Sequence, residues 1–90
     1  MMIKREKLHK IGEVMHYSGF SRQTLHNYTL AGLIIEARRT ESGHRLYDES
    51  VFDRLERIKK LQEQQQTLMQ IKKILEQEER TNPNTEGNVI

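Results

Sequence analysis

Ninety residues carry fifteen Lys and Arg against thirteen Asp and Glu, a formal charge of +2, and no cysteine. That length supports one core, and 34% hydrophobic against 31% charged residues requires amphipathic elements that each bury one face, which favours short helices. The lack of cysteine excludes disulfides, thiolate metal sites and thiol nucleophiles; no apolar run reaches a membrane span, and Met1 to Lys10 is too charged for a signal peptide, so a cytoplasmic chain with no membrane partner is expected.

Residues 1–7 are basic and aperiodic and read as a flexible arm. Apolar residues at Ile11, Val14, Met15 and Tyr17 or Ser18 have the three-and-four spacing of a short helix, which Gly19 ends by taking a left-handed conformation. Ser21 is the expected N-cap of a second helix, with Phe20 and Leu25 as the hydrophobic staple across its entrance. The two helices form a helix-turn-helix, the second ending near Gly32. The segment from Arg38 to Tyr47, with Gly43 in its middle, predicts a short hairpin, which needs Leu46 or a neighbour to anchor it to the helices.

Asp48 caps a predicted third helix with a buried stripe of Val51, Phe52, Leu55, Ile58 and Leu61. Thr67 and Gln70 have capping-box spacing for a fourth, which buries Leu68, Ile71, Ile74 and Leu75. Gln64-Gln65-Gln66 lies between them: either Gln65 takes a positive φ at about 1 kcal/mol, or the third helix runs longer. After Glu79 the chain is too polar to offset its ordering entropy. The resulting expectation is a mainly α fold, a winged helix-turn-helix with a small β-hairpin wing and a supporting C-terminal helix pair. Residues 1–7 form the arm, 8–79 the domain and 80–90 a loose tail.

Charge is unevenly distributed. Residues 1–47 hold eight basic and four acidic residues, a net of +4, and residues 48–90 a net of −2; such asymmetry fits either a phosphate-facing half or an ordinary solvated surface. On the second helix Arg22, Gln23, His26 and Asn27 share one face opposite Leu25. Gln and Asn can pair doubly with adenine and Arg with guanine in the major groove, although a polar outer face is also the default of any surface helix. Arg38, Arg39 and Arg45 cluster on the hairpin and fit phosphate contact or minor-groove insertion. Because side chains alternate along a strand, Arg38 need not share a face with the other two. Tyr28 and Tyr47 fit either a core aromatic or one whose hydroxyl reaches a phosphate. His9, His16, His26 and His44 lie on separate elements without ligand spacing, so no metal site is expected. No phosphate loop, carboxylate pair or nucleophile motif suggests an enzyme or a cofactor.

Ile11-Gly12-Glu13-Val14, Gly19 to Leu25, Ala31-Gly32-Leu33-Ile34 and Ala37 to Tyr47 occur in an order that closely resembles the N-terminal DNA-binding domain of the MerR family, and Leu68, Ile71, Ile74 and Leu75 continue the resemblance. It implies a bacterial transcription regulator bound to double-stranded DNA through the second helix and the wing arginines. Arg22, Gln23, His26, Asn27, Tyr28, Arg38, Arg39, Arg45 and Tyr47 are its expected contacts, RNA polymerase an indirect partner, and a homo-oligomer on DNA its expected assembly. His26-Asn27-Tyr28-Thr29 departs from the family's Arg-Tyr-Tyr-acid, so the family's base preference and one phosphate contact are not carried over. Gln64-Gln65-Gln66 replaces its apolar-Gly-aromatic turn. About fifteen residues follow Leu75, too few for the family's long dimerisation helix or effector domain, so promoter twisting is not expected of this chain alone. Two alternatives compete: an excisionase-like architectural protein assembling on direct repeats, and an adaptor that has lost DNA binding.

Overall fold

The computed structural model describes residues 7–81, so the expected arm, apart from Lys7, and the tail beyond Thr81 lie outside the described residues. In chain order the elements are β1 (Leu8–Lys10), α1 (Ile11–Ser18), α2 (Arg22–Leu30), β2 (Arg38–Arg39), β3 (Arg45–Asp48), α3 (Ser50–Glu63) and α4 (Leu68–Thr81). They divide into two compact units, one up to Arg57 and one from Ile58 onward.

In the first unit the helix-turn-helix forms from local signals. Gly19 closes α1 at φ 81° with its N–H on the Met15 carbonyl, and Ser21 Oγ accepts the Thr24 amide at 3.1 Å to cap α2. Phe20 sets its ring edge-on to Tyr28, 5.5 Å between centroids, one turn beyond the Leu25 expected to staple the entrance. Val14, Leu25, Tyr28, Leu33, Ile34, Tyr47, Val51 and Leu55 are buried, and Arg54 Nε donates to the Leu33 carbonyl at 2.7 Å.

The hairpin gains a third strand absent from the sequence reading, giving the order β1-β3-β2. His9 pairs with Tyr47 and Lys10 with Leu46 on one side of β3; Arg38 pairs with Leu46 and Arg39 with Arg45 on the other. Leu46's neighbour Tyr47 is the wing's anchor: it is fully buried, while Leu46 is half-buried. His9 is buried beside it and lies 2.7 Å from Glu49 and 3.3 Å from Glu13. Its ring also meets Phe52 edge-on at 4.9 Å, and Phe52 is half-buried, short of the full burial its stripe position implied.

The second unit holds the end of α3, the glutamine turn and α4. Gln65 resolves the open choice at this turn by taking φ 64°, and the Gln66 amide returns to the Leu61 carbonyl at 3.1 Å. The capping box forms as spaced: the Thr67 amide donates to Gln70 Oε1 at 2.9 Å and the Gln70 amide to Thr67 Oγ1 at 3.1 Å. Ile58, Leu61, Ile71 and Leu75 are buried, whereas Leu68, expected in that stripe, is 45% exposed. Helical side chains tilt toward the N-terminus, so Leu68, as the first residue of α4, leans past the helix end into solvent. No described helix is long and apolar enough to cross a membrane.

The left-handed turn carries a testable cost. A non-glycine residue there loses roughly 1–2 kcal/mol, while glycine loses about 0.5–1 kcal/mol of extra backbone entropy on folding. Gln65→Gly is therefore expected to raise the thermal midpoint by a few degrees, read by circular dichroism; an unchanged or lower midpoint would mean that the glutamine side chain offsets its own strain.

Candidate nucleic-acid interface

The polar edge of α2 and the base of the wing open onto one cleft of roughly 640 Å³, lined among others by Lys10, Arg22, Gln23, His26, His44 and Arg45. Two bonds set the geometry between helix and sheet. The Tyr47 hydroxyl meets Thr29 Oγ1 at 2.7 Å, and Thr29 Oγ1 also donates to the Leu25 carbonyl at 2.8 Å. Nearer the cleft, Arg45 Nη1 donates to His26 Nδ1 at 3.1 Å. A guanidinium carries only donors, so Nδ1 is the acceptor and the imidazole proton sits on Nε2. His26 thus has one ring nitrogen fixed by the wing and one donor left for a ligand.

Gln23 Nε2 donates to Asn27 Oδ1 at 3.0 Å along one helix face. Gln23 keeps its carbonyl oxygen and a second N–H, the pair that adenine's major-groove edge requires. Both residues and Arg22 are exposed.

The wing arginines are ordered by a residue not singled out in the sequence. Arg39 and Arg45 stand directly opposite each other, a like-charge pairing that destabilises a sheet unless an anion intervenes. Glu36 is that anion: its Oε2 lies 2.7 Å from Arg39 Nε and its Oε1 2.8 Å from Arg45 Nε. Hydrogen bonding from Arg39, above all, holds the Glu36 carboxyl below its usual value, with Arg45 adding to it, and the same contact raises Arg39. Reading the register from the Gly43 turn (φ 91°) would have set the two arginines face to face and pointed to Glu36 as the nearest carboxylate before them.

The remaining expected contacts divide. Arg38 pairs with Leu46 and so points from the opposite sheet face to Arg39 and Arg45. Tyr28 and Tyr47 are buried, 4% and 0% exposed; Tyr47 lines the floor of the cleft, with its hydroxyl engaged by Thr29. Lys10 and His44 join the cleft although sequence reasoning gave them no part. Among the described residues no three His, Asp or Glu side chains gather as a metal site.

The model of the MerR HTH family regulatory proteins matches residues 9–78. The chain belongs to the MerR family. Among MerR-like relatives, the mercuric resistance operon regulatory protein of Bacillus cereus is 42% identical over 66 residues, 73% of this chain and 50% of that protein. The nodulation protein NolA of Bradyrhizobium diazoefficiens is 38% identical over 72 residues, 80% of this chain and 30% of that one. The crystal structure of a MerR family transcriptional regulator from Bacillus cereus superposes with a TM-score of 0.71 at 25% identity, covering 77% of this chain and 52% of that one. The MerR-type winged helix-turn-helix is therefore the fold, and the chain spans half or less of the length of these two relatives.

Proposed function

We propose that this chain binds double-stranded DNA sequence-specifically and serves transcription regulation of the MerR type in the bacterial cytoplasm, with residues 8–79 as the binding domain. One observation carries the reading: Arg22, Gln23 and His26 of α2 and Arg45 of β3 line the same cleft, so a helix entering the major groove brings the wing against the flanking backbone. Arg22, Gln23, His26 and Asn27 read base edges; Arg39 and Arg45 grip phosphates; Arg38 serves from the wing's outer face. Tyr28 and Tyr47 hold the surface in place. DNA is the direct partner, RNA polymerase an indirect one, and a homo-oligomer forms on the DNA. The regulatory description of the family favours this over an architectural protein.

Fluorescence anisotropy with a short random-sequence duplex over a salt series tests the binding. Affinity should fall linearly on a log–log plot, and on the duplex the chain enriches from a random-sequence pool Arg39→Ala should flatten the slope by about 0.9, one phosphate contact. A folded chain with no salt-dependent affinity for any duplex would sink the reading. Footprinting then distinguishes an isolated palindromic site, expected for a regulator, from a ladder of direct repeats, expected for an architectural protein.

A further inference from the structure

Glu36 is on the loop between α2 and β2, and its single carboxylate meets both cross-strand arginines. Each guanidinium is thereby fixed in direction. Arg39 spends Nε and Nη2 on Glu36, the second at 3.3 Å. Arg45 spends Nε on Glu36 and Nη1 on His26. What remains for a ligand is three N–H donors on each, both on Nη1 and one on Nη2 of Arg39, both on Nη2 and one on Nη1 of Arg45, on guanidiniums held by bonds within the protein.

Resting on the DNA-binding reading above, we propose that Glu36 determines specificity at this interface. It holds Arg39 and Arg45 in one arrangement, so that they meet phosphates only on a duplex whose backbone passes through those points. Backbone position and groove width vary with base sequence, so fixed donors convert DNA shape into discrimination. The same carboxylate neutralises part of the wing's charge and thereby withholds it from mismatched DNA, and selectivity is the difference between the two affinities. Released from Glu36, long flexible arginine side chains can follow any phosphate, which raises affinity for all sequences while eroding the preference among them.

The test uses Glu36→Gln, with Glu41→Gln as the control. Glu41 is exposed at the wing tip and pairs with neither arginine, so its substitution changes the charge equally without releasing them. The probes are the duplex that the unsubstituted chain enriches from a random-sequence pool and a random duplex, each titrated over a salt series. Glu36→Gln should tighten random-duplex binding, steepen its salt slope by about 0.9 for each arginine that gains a phosphate, and lower the matched-to-random ratio severalfold. Glu41→Gln should shift both duplexes alike and leave the ratio in place. Glu36→Asp keeps the charge but is too short to span both guanidiniums, and should fall between; if the Gln variant does not fold by circular dichroism, Asp carries the test. A ratio and slope unchanged in Glu36→Asp and in a folded Glu36→Gln, or a Glu36→Gln shift equal to that of Glu41→Gln, overturns this proposal alone. Failure of the unsubstituted chain to bind DNA overturns the reading beneath it as well.

Discussion

Tyr47→Ala is expected to remove the cooperative thermal transition, or to lower its midpoint by about 15 °C or more, while Tyr47→Phe stays within about 8 °C of the unsubstituted chain. The ring is fully buried on the strand that pairs with both β1 and β2. Truncating a core aromatic to alanine costs about 3–5 kcal/mol, against a total stability of about 5–15 kcal/mol for a domain. Each kcal/mol is worth about 4–8 °C at this size. Phenylalanine keeps the ring and loses only the bond to Thr29. Thr29 still donates to the Leu25 carbonyl, so no donor is orphaned and the change costs about 1 kcal/mol. The pair also decides between two roles for Tyr47. If its hydroxyl works by contacting phosphate, Tyr47→Phe will weaken DNA binding as much as loss of a wing arginine; if it works as an anchor, Tyr47→Phe binds DNA nearly normally. Weakened binding with an unchanged melt would overturn the anchor assignment.

What the sequence makes legible here is what the chain decides over a few residues. The stop at Gly19, the cap at Ser21, the box at Thr67 and Gln70 and the hairpin turn containing Gly43 each depend on neighbours three or four positions away, and all form as spaced. β1 was illegible for the opposite reason. Three residues have no measurable period, and Leu8–Lys10 becomes a strand only because Leu46 to Asp48, nearly forty residues later, offer it an edge. His9 shows the same limit. Sequence treats it as one of four scattered histidines, yet the strand pairing buries it between Glu13 and Glu49. At the candidate interface the polar edge of α2 was readable as an outer helix face. Its partner was not: the meeting of Glu36, Arg39 and Arg45 follows from hairpin register, which the spacing of arginines alone leaves open between two faces.

Base-edge reading and phosphate gripping should separate between helix and wing. Gln23→Ala removes an amide that can pair doubly with adenine, a contact that discriminates by about 1–3 kcal/mol. Affinity for the selected duplex should therefore drop roughly five- to a hundredfold, with little change in random-duplex affinity or salt slope. Asn27→Ala should be non-additive with it, because Gln23 donates to Asn27 and contacting residues couple by about 0.5–3 kcal/mol. Arg39→Ala, which is not bonded to α2, should flatten the slope and leave the base-edge reading by α2 in place. Arg45→Ala should flatten the slope and alter that reading: it loses a phosphate contact, and it releases His26 Nδ1, so the imidazole can exchange tautomers and present either an acceptor or a donor to the base beneath it. Profiles of every single-base substitution in the selected site, measured for each variant, should show Gln23→Ala and Arg45→Ala relaxing different contacted positions, and Arg39→Ala relaxing neither of these but only positions that act through groove width. If Gln23→Ala instead weakened binding to all sequences equally, α2 would be lying along the phosphates, and the assignment of base reading to its exposed edge would fall.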